Sequence, residues 1–247
     1  MKKHFYIMAF LILVTPQLAN AQAAILALIF GDKVATENFN LSMEIGFPIN
    51  HFSNVDDLKR RNGINFGIAG NIKFSENWYL SPTVYFMSRR SVKLENTSLN
   101  TNDSYINSLY ANTTAQMKIN YTDIHALVTY QLSDSNFRFG LSPQVSFLSK
   151  ARATYEGAEG DFTQNIDDFV NKTDFGLIAN VGYFLRSGHQ GKGIIFNVRY
   201  YHGFTDVLKD NFASGTNNSS YFAVHVSLPF ITEELAAKNK KPSEINP

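Results

Sequence analysis

The chain has 247 residues, with 22 Lys and Arg against 21 Asp and Glu, a net charge of +1 and no cysteine. The missing cysteines exclude a disulfide framework, a thiol nucleophile and a thiolate-held metal. The balanced charge, with no Lys/Arg-rich run, argues against nucleic acid as a partner.

The chain opens "MKKHFYIMAFLILVTPQLANAQA": two lysines, an apolar run from Phe5 to Val14, Pro16, then Ala19-Asn20-Ala21. This is the layout of a secretory signal peptide over residues 1–21. The apolar run is too short to span a bilayer as a helix, which takes ~20 residues. Residues 22–38 follow; "AAILALIFGDK" places Ile25, Leu28 and Ile29 at helical spacing before Gly31 and predicts a short apolar segment at the periplasmic mouth or lipid interface.

From Phe39 the pattern changes to period two. In "FNLSMEIGFPI" Phe39, Leu41, Met43, Ile45, Phe47 and Ile49 share one face, and Asn40, Ser42, Glu44, Gly46 and Pro48 the other. Seven similar stretches come after it: "INFGIAGNIKF", "WYLSPTVYF", "TDIHALVTYQL", "FRFGLSPQVSF", "FGLIANVGYFL", "IIFNVRYY" and "YFAVHVSLPF". Eight strands of roughly ten residues fit a tilted bilayer crossing, whereas globular strands average five or six. "SEN", "SDSN" and "SGHQGKG" make short connections; residues 50–62, 89–116, 150–174 and 203–220 make long ones. That alternation predicts tight periplasmic turns and longer outer loops.

The aromatics decide which solvent the apolar face meets. Near the short turns it carries Phe39, Phe74, Trp78, Tyr130, Phe137, Tyr183 and Phe230, and toward the long loops Phe47, Phe66, Phe86, Phe147, Phe175, Tyr200 and Phe222. Rings at both ends of most strands, with the seventh weak near the short turn, set about 20 Å apart along a tilted barrel, read as paired aromatic girdles at the edges of a lipid band. The expected fold is therefore all-β: an eight-stranded antiparallel up-and-down transmembrane barrel over residues 39–230, with a periplasmic tail over residues 231–247 that is helical at Glu233 to Lys238.

Eight strands enclose a lumen just wide enough for side chains to fill. Interior parity assigns it Glu44, Lys73, Asp123, Arg138 and Arg199, joined by Gln144, Asn180, Asn197 and His225. Charges of both signs in a dry lumen should pair. Arg199 and Glu44 are the expected pair, with Arg138 reaching Gln144 or water.

No catalytic constellation is found. His51, His125, His189, His202 and His225 show no H-x-x-x-H spacing, no G-x-S-x-G occurs, and "SGHQGKG" lacks P-loop spacing. Asp206, Asp210 and Asn211 do not follow an EF-hand loop. No cofactor, metal or enzymatic activity is expected. The loop "SVKLENTSLNTNDSYINSLYANTTAQ" is polar with Tyr105, Ile106 and Tyr110 interleaved, a composition suited to partner contact or to a solvated surface.

"YTDIHALVTYQL", "FGLSPQVSFLSKA", "DFGLIANVGY" and "NVRYYHGFTDV" resemble the later strands of the Bacteroidota outer-membrane β-barrel family often called PorT-like. Asp123 stands where that family often has Glu, His125 where it often has Pro, and "ITEELAAKNKKPSEINP" extends past the terminal aromatic. The resemblance implies an OmpX-like barrel in the outer membrane of a Gram-negative bacterium. The expected partners are outer-membrane lipid and, through the outer loops and tail, other outer-membrane or periplasmic proteins. A structural or interaction role is the first expectation; a narrow channel or a part of a secretion apparatus is the alternative.

Overall fold

The computed structural model describes residues 35–239 apart from positions 37, 134, 159, 211, 213 and 214. Residues 1–21, expected to form a signal peptide, and most of the segment 22–38 lie outside the described residues. Ten antiparallel strands form one sheet that closes on itself. Eight are long: β1 (Phe39–Phe52), β3 (Ile64–Lys73), β4 (Trp78–Thr97), β5 (Thr113–Gln131), β6 (Phe137–Tyr155), β8 (Thr173–Leu185), β9 (Ile194–Asp206) and β10 (Asn218–Pro229). Each pairs with its neighbours in the ring, and β1 meets β10 from Ser42↔Pro229 to Phe52↔Ser219, so the eight long strands close a barrel. Two strands are short: β2 (Leu58–Asn62) continues the line of β3 between β1 and β4, and β7 (Phe162–Asn165) pairs with β6.

Strand length departs most from the sequence expectation. β4, β5 and β6 have 20, 19 and 19 residues rather than about ten. β5 shows why. Its inward positions keep one parity throughout: Ala115, Met117, Ile119 and Tyr121, then Asp123, His125, Leu127, Thr129 and Gln131, all buried. Its outward positions are polar at Gln116, Lys118, Asn120 and Thr122, then apolar at Ile124, Ala126, Val128 and Tyr130. Both faces exchange character between Thr122 and Ile124. Below that point lipid surrounds the strand; above it water does, and the apolar side chains turn inward. Residues 124–132 cover about 23 Å at a ~40° tilt, close to the ~25 Å apolar band of such barrels. The polar-outward half of β5 adds a similar height outside the membrane.

The inward side chains of this extension form an apolar core. Phe52, Val92, Leu94, Met117, Ile119, Tyr155, Ile166 and Val170 are buried in it, with Val55, Phe162, Phe169 and Phe212 packed against them. The stretches 50–62, 89–116, 150–174 and 203–220, read from sequence as long loops, are thus mostly strand and packed turn. The polar run 89–116 contracts to a connection over residues 98–112. It contains the helix Ser104–Leu109, capped by Asp103, whose carboxylate accepts from the backbone N–H of Tyr105 and Ile106. Tyr105 is exposed, but Ile106 and Tyr110 pack onto the core, and the Tyr110 hydroxyl donates to the Gly160 carbonyl at 3.0 Å.

At the other end the connections are short, over residues 74–77, 132–136 and 186–193. The tail forms the helix Glu233–Asn239, which buries Ala236 and sets Glu233 3.2 Å from Lys192 in the turn after β8.

Candidate functional site in the lumen and on the outer face

The lumen holds two polar layers. In the lower one Arg199 on β9 reaches three strands. Its Nη2 lies 3.3 Å from Glu44 Oε2 on β1, its Nε donates to Asn180 Oδ1 on β8 at 2.9 Å, and its Nη1 donates to the Tyr85 hydroxyl on β4. Ser42 donates to the other Glu44 oxygen at 3.1 Å. Since Arg199 can only donate, the Tyr85 proton is left for His225 Nδ1 at 3.2 Å, which places the His225 proton on Nε2. The His225 ring lies over Gly46 on the neighbouring strand, where an added Cβ would come 2.2 Å from Cε1. Asn180, Asn197 and Ser227 continue the chain of bonds around the wall at 3.1 and 3.2 Å.

The upper layer centres on Arg90. Its guanidinium pairs with Asp174 on β8, donates to Ser146 at 2.7 Å and lies 3.7 Å from Asp123 on β5. The last distance is an ion pair without a hydrogen bond. The rings of Tyr121 and Tyr201 stand 4.3 and 5.0 Å from its central carbon. Asp174 also accepts from Tyr201 at 2.7 Å and Thr205 at 2.6 Å, so its charge is well satisfied. His125, between the layers, has no partner for either ring nitrogen among the described residues.

The five charges assigned to the lumen from sequence therefore separate. Glu44 and Arg199 lie together, and Asp123 lies in the other layer. Lys73 and Arg138 line the mouth at the short-turn end, Arg138 also bordering the small cavity beside Glu44 and Arg199, and neither forms an ion pair among the described residues. Arg138 was expected to reach Gln144 or water; its Nε instead donates to Gln131 at 3.0 Å, because Gln131 is its register partner across β5. Gln144 sits farther out and donates to Ser146.

Arg90 and Asp174 were missed. A bulge in β4 at Phe86 and Met87 shifts the register on both neighbours, so inward positions change from Tyr79, Ser81, Thr83 and Tyr85 to Ser88, Arg90, Val92 and Leu94. Strict alternation carried through the bulge puts Arg90 outside. Asp174 falls one residue before an obvious aromatic alternation and was assigned to a loop.

A cavity of about 20 Å³ between Glu44, Thr83, Asn180 and Arg199 has room for about one water. Above the polar layers the apolar core fills the barrel. Of the rings assigned to the girdles, Phe47, Phe66, Phe74, Trp78, Phe86, Phe137, Phe147, Phe175, Tyr183, Tyr200 and Phe222 are exposed on the outer wall; Phe39, Tyr130 and Phe230 are half-buried. Trp78 packs on Tyr130 at 5.0 Å, Phe137 on Tyr183 at 5.1 Å, and Tyr200 on Phe222 at 4.7 Å.

The outer face carries a cleft of about 460 Å³. Leu94, Tyr155, Phe169 and Phe212 supply its apolar lining; Asp56, Asp57, Glu95, Asn54, Asn96, Asn100 and Gln164 supply the polar one. Asn54, Asp57 and Asn96 adopt left-handed φ of 51°, 52° and 53°, a conformation that Asn and Asp tolerate at tight turns. Burial pushes the Tyr155 phenol above its usual range and keeps it a neutral donor.

A family model described as an outer membrane protein beta-barrel domain matches residues 20–209, most of the chain. Among curated proteins there is no match. Solved structures with a similar fold include the attachment invasion locus protein Ail of Yersinia pestis, with 10% identity over 79% of this chain and 100% of that one and a TM-score of 0.42. Neisserial surface protein A shows 13% identity over 78% and 97% of the two chains, with a TM-score of 0.39. OprG of Pseudomonas aeruginosa shows 12% identity over 79% and 97%, with a TM-score of 0.37. The chain belongs to the family of outer membrane protein β-barrel domains and is an integral protein of the outer membrane.

Proposed function

We propose that this barrel is a non-conducting surface module: the membrane part anchors it, and the extension outside the membrane presents a rigid contact surface. The observation that carries this reading is the apolar core between Phe52, Met117, Ile119 and Tyr155, which seals the outer half of the barrel and holds its outer strands in place. A solute path needs a wet, polar lumen through to the outside, and here two bonded polar layers are covered by an apolar one. The outer cleft, with amides and carboxylates around buried rings, is the natural contact point. The Bacteroidota PorT-like assignment is part of the proposal and rests on the motifs of β5, β6, β8 and β9.

The test is co-purification from whole cells in mild detergent, comparing wild type with a Gln164→Ala, Phe169→Ala double variant. A partner retained by the wild type and lost by a variant that still migrates as a folded barrel supports the surface role. Identical recovery from both removes the cleft from the account. A periplasmic secretion component recovered equally from both would favour the transport alternative.

A further inference from the structure

The periplasmic mouth of the barrel opens into a cavity of about 280 Å³. Four cations line it: Lys73 at the end of β3, Arg138 at the start of β6, Arg186 just after β8, and Lys238 on the tail helix, which stands 4.0 Å from Glu234. Lys73, Arg138 and Arg186 form no ion pair among the described residues, and no carboxylate lines the cavity among those residues. Like charges gathered at one mouth repel, most strongly at Arg138, which is packed between rings and least screened by water.

Arg138 is held in a fixed pose. Its guanidinium lies between the rings of Tyr79 and Phe184, at 4.5 and 4.7 Å from their centroids, and its Nε is occupied by Gln131. Those contacts leave the two terminal nitrogens, the pair that binds an oxyanion in fork geometry. Arg186 is similarly tied through Nε, which donates to Asn136 at 3.1 Å. Two guanidinium groups pinned by their inner nitrogens at one cavity, with a lysine beside them, form an arrangement of donors awaiting an acceptor.

We infer that the periplasmic mouth is a binding site for a phosphate group, carried either by a lipid headgroup of the inner leaflet or by a soluble periplasmic phosphoester. A phosphate monoester carries close to two negative charges and three acceptor oxygens, and a diester headgroup one charge and two free oxygens; either can take the fork of Arg138 with the neighbouring cations beside it. The site is independent of the outer cleft and of whether the lumen conducts.

The experiment is a calorimetric titration of inorganic phosphate into the full-length protein, at low salt, in an uncharged detergent. Saturable binding is expected, weakening as salt is added. Arg138→Gln should weaken it at least about ten-fold, and Arg138→Lys, which keeps the charge but loses the fork, by less. Arg138 is packed between rings, so Lys73→Gln and Arg186→Gln, at more accessible positions, are measured alongside. Folding of every variant is checked by gel shift on heating. No binding by wild type up to about 10 mM phosphate, or equal binding by all variants, overturns the proposal. A protein ending at Asn239 that binds when the full chain does not would mean the chain's own terminal carboxylates fill the site, and also overturns it. Nanodiscs separate the sources. Loss of phosphate binding in phosphatidylglycerol discs but not in phosphatidylcholine discs identifies the headgroup as ligand; binding in both identifies the soluble phosphoester.

Discussion

Residue-scale energetics turn on where each charge sits. Arg90 sets one positive charge against two buried carboxylates, Asp174 by a hydrogen-bonded pair and Asp123 across 3.7 Å. Its removal strands both. Arg90→Met is expected to cost about 3–5 kcal/mol, with much of that recovered when Asp123→Asn and Asp174→Asn are added, because the penalty lies in the unpaired charges. Urea unfolding followed by the folded-barrel gel shift reads this, and a single variant as stable as wild type contradicts the pairing. Arg199→Met should behave likewise with Glu44→Gln as its relief. On the outer wall Val181 is 45% exposed and stands in the middle of β8. Val181→Arg should cost about 2–4 kcal/mol, the price of a cation at mid-bilayer. A cost near zero in lipid would mean that this face meets water.

At the scale of the element, β5 explains both what the sequence disclosed and what it concealed. From Asp123 to Leu132 the alternation matched the expected pattern, apolar outside and polar inside. From Ala115 to Tyr121 the alternation is equally regular with the faces exchanged, in "AQMKINY". The sequence reading ended the long connection at Gln116 and began the strand at Thr122, leaving the stretch out of the strand because its outward Gln116, Lys118 and Asn120 lack the aromatic and aliphatic marks of a lipid face. The signal for a water-surrounded barrel extension was present, but it carries the opposite meaning from the strand it continues. In β4 and β6 the bulges at Phe86–Met87 and near Ser149 broke parity at the same height. Bulges are backbone events with no residue signature there, so Arg90 could not be placed by counting. Amide exchange separates the two readings of the extension. Residues 115–121 and 151–155 should be protected nearly as well as residues 124–130, since both halves share one ladder. Exchange at loop-like rates would mean that the outer strands are not packed.

At the scale of the molecule, the fold class, the closure and the Glu44–Arg199 layer follow from the alternation and from the size of an eight-strand lumen. The apolar core that caps the lumen does not, because it is assembled from Phe52, Val92, Met117, Ala153, Ile166 and Val207, which are dispersed over six stretches of chain. Along the resulting barrel stand Arg138 between two rings at the mouth, two polar layers, and an apolar core beyond them. The measurement that bears most directly on this account is conductance of the refolded, full-length protein in a planar lipid bilayer. A closed lumen predicts a flat baseline across the voltage range. Steady currents on the nanosiemens scale would contradict it and would make the polar layers the lining of a channel.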